Sequence, residues 1–342
     1  MPYPVTEHVL KTERHTTAYL ACGAPDAPLI IFVHGWPELA ISWRHQLPVF
    51  AELGFRCVAP DLRGYGRSSI YDKQTDYALE HGVRDMLELL DSLGREKAVW
   101  VGHDAGSLVA WTIASHHPER CHGVVSLCIP YLNKGFAAEN LVPLVDRAIY
   151  PADTYPAGQW EYLLFYEENF PAACAAFEAD TRASIKAMFR RGNPALRGEP
   201  AASSKVRRDG GWFNGGKAPN VERDEAVLTE ADLAAYTAAL ERNGWFGPCA
   251  WYLNLKKDVA YAAAAVNDGR LAMPALFLDG ANDLVCLTMG GSRFAEPMRQ
   301  HCSDLTEVMI QSGHRMAQEC PVAVNAALAK WLAMKLPNVW PS

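Results

Sequence analysis

Three residues of this 342-residue chain could together carry nucleophilic chemistry: Asp104, Asp283 and His314. Asp104 stands in Gly102-His-Asp-Ala-Gly106, after the apolar run Ala98 to Val101 and before Leu108, Val109, Trp111, Ile113 and Ala114 at helical spacing. Strand, small–x–nucleophile–x–small, helix predicts a sharp turn that lifts one side chain above a sheet edge. Glycines suit such a turn because strand and helix backbones approach too closely for a Cβ. The apex is aspartate rather than serine. A serine suits acyl carbon, whereas a carboxylate suits a saturated, strained carbon and leaves an alkyl–enzyme ester for water to cleave. His314, in Gln311-Ser-Gly-His-Arg315, would activate that water, and Asp283, in Gly280-Ala-Asn-Asp283, would orient the histidine. Asp279 competes for the orienting role, and Asp283 is favoured because it lies just past the strand end. Each residue has a plainer reading when taken alone. Asp104 could cap a helix, and His314 could be an ordinary loop histidine. His34 and His103 read as packing or hydrogen-bonding residues.

The elements that must position these groups follow an alternating rhythm. Leu29 to Val33 and Phe55 to Pro60 are apolar runs without period-two alternation, as in buried parallel strands. Between them, Trp43 to Leu53 predicts a helix kinked at Pro48. A helix with Val83, Met86, Leu90 and Leu93 on one face precedes the turn at Asp104, and Gly123 to Pro130 predicts a further strand. The rhythm stops near Tyr131. Helical and aromatic patterns follow at 159–168, 174–190 and 230–242, with a Gly-, Pro- and Arg-rich stretch at 191–220. Strands return at 274–279 and 305–310, with helices at 292–300 and 322–336. The reading is an α/β fold with a mostly parallel, doubly wound sheet formed by 1–130 and 269–342, and a helical cap inserted at 131–268. His34-Gly-Trp-Pro37 follows an early strand.

Composition bounds the partners. A net charge of −7 and a pI near 5.9 exclude a nucleic-acid surface. No apolar run reaches the ~18 residues of a membrane span, and the N-terminus lacks a secretory pattern. Nine cysteines, without C-x-x-C or zinc spacing, point to a reduced, cytoplasmic protein with no metal. A homodimer stays open.

The order Asp104, Asp283, His314 matches nucleophile, acid and histidine in α/β-hydrolases. The chain resembles the epoxide hydrolase branch of that superfamily, close to the hydrolase domain of soluble epoxide hydrolases. The resemblance runs through His34-Gly-Trp-Pro-Glu38, Trp43-Arg-His45, Asp61-Leu-Arg-Gly-Tyr-Gly-Arg-Ser-Ser69, Gly102-His-Asp104, Glu161-Tyr-Leu-Leu-Phe-Tyr166 and Gly247-Pro-Cys-Ala-Trp-Tyr-Leu-Asn254. It implies that Tyr162 and Tyr252, from the cap, grip the oxygen of an epoxide, with Tyr166 as the fallback. It also implies an oxyanion hole made by the backbone N–H groups of Trp36 and Ala105, a vicinal diol product and no cofactor. Two positions depart from the family pattern, since Ala105 and Arg315 stand where tryptophan is usual. Ala105 keeps its backbone donor but should widen a pocket formed with Trp36 and Pro37, favouring bulky or disubstituted epoxides. The sequence alone offers no role for Arg315 beyond a nearby charge. The rivals are a dehalogenase using the same Asp–His–Asp cycle, whose halide donor Ala105 would remove, and a non-catalytic ligand-binding protein on a hydrolase fold.

Overall fold

Eight strands form one sheet in the order β1-β2-β4-β3-β5-β6-β7-β8. The computed structural model describes residues 3–341. The strands are β1 (Thr6–Lys11), β2 (Thr16–Cys22), β3 (Leu29–Val33), β4 (Arg56–Pro60), β5 (Ala98–His103), β6 (Cys121–Leu127), β7 (Leu271–Gly280) and β8 (Cys302–Ile310). β1 and β2 are antiparallel to their neighbours, and the remaining pairs are parallel. Every residue of β3 and β5 is buried, as their continuous apolar runs require. The strand order reverses between β3 and β5, and ligands gather beyond the carboxyl ends of strands at such a switch point.

The helices are α1 (Leu47–Glu52), α2 (Leu79–Ser92), α3 (Ala105–His116), α4 (Ala138–Leu141), α5 (Glu161–Glu178), α6 (Thr181–Met188), α7 (Glu230–Asn243), α8 (Phe246–Ala250), α9 (Leu255–Ala262), α10 (Glu296–His301), α11 (Met316–Glu319) and α12 (Pro321–Lys335). Among the described residues no strand lies between β6 and β7, and α4 to α9 fill that stretch. Pro48 does not kink a helix. It stands in the first turn of α1, where a missing N–H costs nothing, and Ala40–Trp43 is a separate 3₁₀ turn. The pattern read as one helix over 174–190 is two. α5 ends at Glu178, and Asp180 caps α6 by accepting from the Ala183 N–H at 2.8 Å. α5 itself bends at Asn169, two residues before Pro171, whose ring cannot follow a helical carbonyl four residues back. The stretch 191–220 folds into three 3₁₀ turns, Pro194–Leu196, Ala202–Lys205 and Trp212–Gly215.

The helical layer is fastened to the sheet layer by specific bonds. Trp251 Nε1 donates to the Arg63 carbonyl, Asn254 Nδ2 to the Gln74 carbonyl and Arg44 Nη2 to the Val227 carbonyl. Tyr236 and Ser42 share a hydrogen bond at 2.7 Å, and Asp258 accepts from the Leu79 N–H at 2.9 Å. These bonds hold the aromatic residues of α5, and Trp251 and Tyr252 just after α8, over the carboxyl end of β5.

Candidate active site

Asp104 sits between β5 and α3 with φ 51° and ψ −120°, a conformation that L-residues rarely adopt and that functional turns retain. The neighbours enforce it. A Cβ on Gly106 would lie 2.1 Å from the Val33 carbonyl oxygen, and one on Gly102 would lie 2.3 Å from the Gly106 carbonyl oxygen. Asp104 makes no capping bond to α3, so the plainer reading of it as a helix cap does not describe its side chain. Its Oδ1 instead accepts from the Trp36 N–H at 2.7 Å. Ala105, next to it, is the first residue of α3, where an N–H has no partner within the helix.

His314 faces both carboxylates. Its Nε2 is 3.4 Å from Asp104 Oδ2, and its Nδ1 is 2.7 Å from Asp283 Oδ2. Asp283 Oδ1 accepts from the N–H groups of Val285 and Cys286, both at 3.1 Å, which fixes the carboxylate in its loop. Burial opposes charge on all three groups, yet mutual attraction prevails. Asp104 and Asp283 are held below the usual carboxylate range by His314, and His314 is raised well above the usual imidazole range, chiefly by Asp283. Asp279 plays a different part. Its Oδ2 takes both the hydroxyl and the N–H of Thr288, and burial pushes its pKa up to about 6.

Tyr162 and Tyr252 meet edge to face with ring centroids 5.5 Å apart, and both line a cavity with Asp104 and Ala105. Burial, followed by the nearby Asp104 charge, raises both phenols well above their usual range, so they stay protonated. Tyr166 is fully buried behind Tyr252, 5.0 Å between centroids, and is absent from the cavity wall. The cavity follows one face of α3 from Ala105 through Leu108 and Thr112 to His116, about 16 Å of helix, and reaches Asp258 on α9. Trp36 and Pro37, expected in the pocket wall, lie outside this cavity. The Trp36 N–H serves Asp104 while its indole packs among Phe177, Trp212, Trp245 and Tyr252.

Other residues support the site without signals that the sequence made legible. Buried Glu38 is 3.0 Å from His103 Nδ1 and accepts from Gln318 at 2.8 Å and Arg315 at 3.0 Å. Burial works against a charged His103, but Glu38 overcomes it and raises its pKa to about 10. His103 Nε2 then donates to the His314 carbonyl at 2.8 Å, and Cys128 Sγ donates to it at 3.2 Å. His34 is a packing and hydrogen-bonding residue, in keeping with its sequence reading. Its Nε2 accepts from the Leu62 N–H, its Nδ1 bonds the Gly35 carbonyl, and its ring meets Tyr65 edge-on. Among the described residues, two groups bring potential metal-ligand atoms within 4.8 Å of one another: His103, Cys128 and His314, and Asp283, Cys286 and His314. Both are built on the same histidine.

The arrangement offers an ionised carboxylate with one oxygen held by a backbone donor, an imidazole oriented by a second carboxylate, and two phenols on the wall of the same cavity. The sequence matches the alpha/beta hydrolase fold family over residues 28–317. It is 33% identical to epoxide hydrolase B of Mycobacterium tuberculosis over 92% of this chain and 94% of that protein. The crystal structure of epoxide hydrolase A from Mycobacterium thermoresistibile superposes with a TM-score of 0.78 at 30% identity, covering 97% of this chain and 99% of that one. An epoxide hydrolase from an endophytic Streptomyces gives a TM-score of 0.79 at 28% identity, covering 98% and 96%. The chain belongs to the α/β-hydrolase fold family, in the branch that holds these epoxide hydrolases.

Proposed function

We propose that this protein hydrolyses epoxides to vicinal diols through an ester on Asp104. The observation that carries the reading is the placement of two protonated phenols, Tyr162 and Tyr252, on the wall of the cavity that also exposes the Asp104 carboxylate. Asp104 Oδ2, the oxygen not held by Trp36, attacks a ring carbon, and the carbon–oxygen bond of the ring breaks. The ring oxygen takes a proton from one tyrosine while the other donates a hydrogen bond, so no free alkoxide forms. Esterification removes the Asp104 charge that favoured protonated His314, so its pKa falls, its proton passes to the tyrosinate to restore the phenol, and the neutral base becomes available. His314 Nε2 then takes a proton from water, and the hydroxide attacks Cγ of the ester. Charge collects on Oδ1, facing the N–H groups of Trp36 and Ala105, before the carboxylate reforms and the alcohol leaves.

In this reading 131–268 is the cap that carries the tyrosines, and 1–130 with 269–342 is the core that carries the triad. Ala105 supports epoxides over halides, because it offers no side-chain donor to a leaving halide. It also leaves space beside the nucleophile for a substituted ring carbon. The substrate is a small-molecule epoxide with an apolar portion that fits along α3. None of these steps calls for a metal or cofactor. The nine unpaired cysteines, eight of them buried, support a cytoplasmic setting.

Single-turnover hydrolysis of an aryl epoxide in ¹⁸O-water tests the mechanism. The expected result is solvent oxygen in the peptide containing Asp104 and none in the first-turnover diol. Solvent oxygen in the diol, with none in that peptide, would rule out the ester. Turnover of haloalkanes but not epoxides would favour the dehalogenase reading.

A further inference from the structure

Arg315 follows the catalytic base directly, yet it is buried in a position where a charge must be compensated. Its Nη1 donates to the Trp36 carbonyl at 2.8 Å and to Glu38 Oε1 at 3.0 Å, and its guanidinium lies 4.6 Å from the centre of the Phe189 ring. The N–H of that same Trp36 holds Asp104 Oδ1. The two polar groups of one residue are therefore fixed from two directions, the N–H by the nucleophile and the carbonyl by Arg315. Glu38 also pairs with His103, which donates to the His314 carbonyl. One guanidinium thus joins the loop of the base, the loop of the oxyanion donor and Phe189 at the end of α6. The indole common at this position in the family could not reproduce this, since it has a single N–H and no charge.

We propose that Arg315 is a positioning residue that aligns the Trp36 N–H for hydrolysis of the Asp104 ester. The proposal rests on the ester reading above. During alkylation negative charge leaves the Asp104 carboxylate, so the bond from Trp36 to Oδ1 weakens. During hydrolysis a full charge returns to Oδ1, and the same donor must meet it. A displaced donor therefore slows the second half-reaction more than the first. A residue that merely filled space would not divide the two.

Rapid-quench kinetics with an aryl epoxide separates the halves in Arg315→Met, Arg315→Lys and Arg315→Trp. Arg315→Met should slow hydrolysis on the order of tenfold while leaving alkylation within about twofold. The ester should accumulate, and kcat and KM should fall together. Arg315→Lys should recover part of the hydrolysis rate, because an ammonium can still donate to the Trp36 carbonyl. Should Arg315→Met fold poorly, Arg315→Trp, which fills the site without bridging it, should show the same division. Equal slowing of both halves, or a lower Tm with an unchanged division between them, would overturn the proposal. Absence of ¹⁸O from Asp104 in the unsubstituted protein would instead overturn the ester reading itself.

Discussion

Burial raises the pKa of both kinds of acid at this centre, their charged neighbours then separate them, and the proposed chemistry uses both outcomes. Tyr162 and Tyr252 lose solvent and face Asp104, which raises them well above the usual phenol range. Asp104 also loses solvent, but His314 pulls it below the usual carboxylate range. The two phenols therefore stay protonated and the Asp104 carboxylate stays ionised across neutral and mildly acidic pH. Tyr162→Phe and Tyr252→Phe should each slow alkylation on the order of 10²-fold, and the double variant should show no measurable ester, by rapid quench. Tyr166→Phe should leave alkylation unchanged, because its hydroxyl is buried without a partner and lies off the cavity wall. In the unsubstituted protein, alkylation should show no alkaline loss near pH 10, where an ordinary phenol ionises. Asp104, Asp283 and His314, which the structure brings together, were legible as a group because each stands beside a glycine-punctuated strand end. Glu38, Cys128, Cys286 and Arg315 were not, since their roles come from partners brought by distant segments. Arg315 bonds to a carbonyl 279 positions away, a relation that no local pattern encodes.

At the scale of elements, α9 carries an acid whose state bears on stability. Asp258 accepts from the Leu79 N–H at the start of α2, which joins the helical layer to the core. Burial is the main cause that pushes its pKa up to about 7. The neutral carboxyl is thus the form that the fold favours. Its contribution to stability is present at pH 4 and is lost as pH rises through 7. Asp258→Asn keeps an acceptor for Leu79 without a charge. By urea denaturation it should stabilise the protein on the order of 2 kcal/mol at pH 8 and change it little at pH 4. The parallel strands were legible from apolar runs and α7 from its helical spacing, while the Thr229–Asp232 capping box that starts α7 was seen only in the structure. The break between α5 and α6 was missed because both helices share apolar spacing across it, and only the Asp180 cap marks the boundary. Pro48 was misread because a proline in the first turn and one inside a helix look alike until the start of the helix is known.

Over the whole molecule, core and helical layer share one continuous apolar interior. It runs from Val33 and Trp43 through Trp36 to Phe177 and Trp245. With the polar fasteners at Arg63, Gln74 and Leu79, neither layer can separate without exposing that interior to water. Thermal unfolding should therefore give coincident transitions by far-ultraviolet circular dichroism and tryptophan fluorescence, whereas two resolved steps would show that the layers melt separately.

The turn at Asp104 has a consequence for how such proteins change over time. Its shape is set by backbone that crowds in on Gly102 and Gly106. A serine or cysteine placed there would be lifted to the same point, opposite the same imidazole and the same Trp36 N–H. The scaffold is inherited, while the reacting atom is interchangeable. New chemistry can begin with one codon, provided that the residues overhead, here a pair of phenols, change to suit a different leaving group.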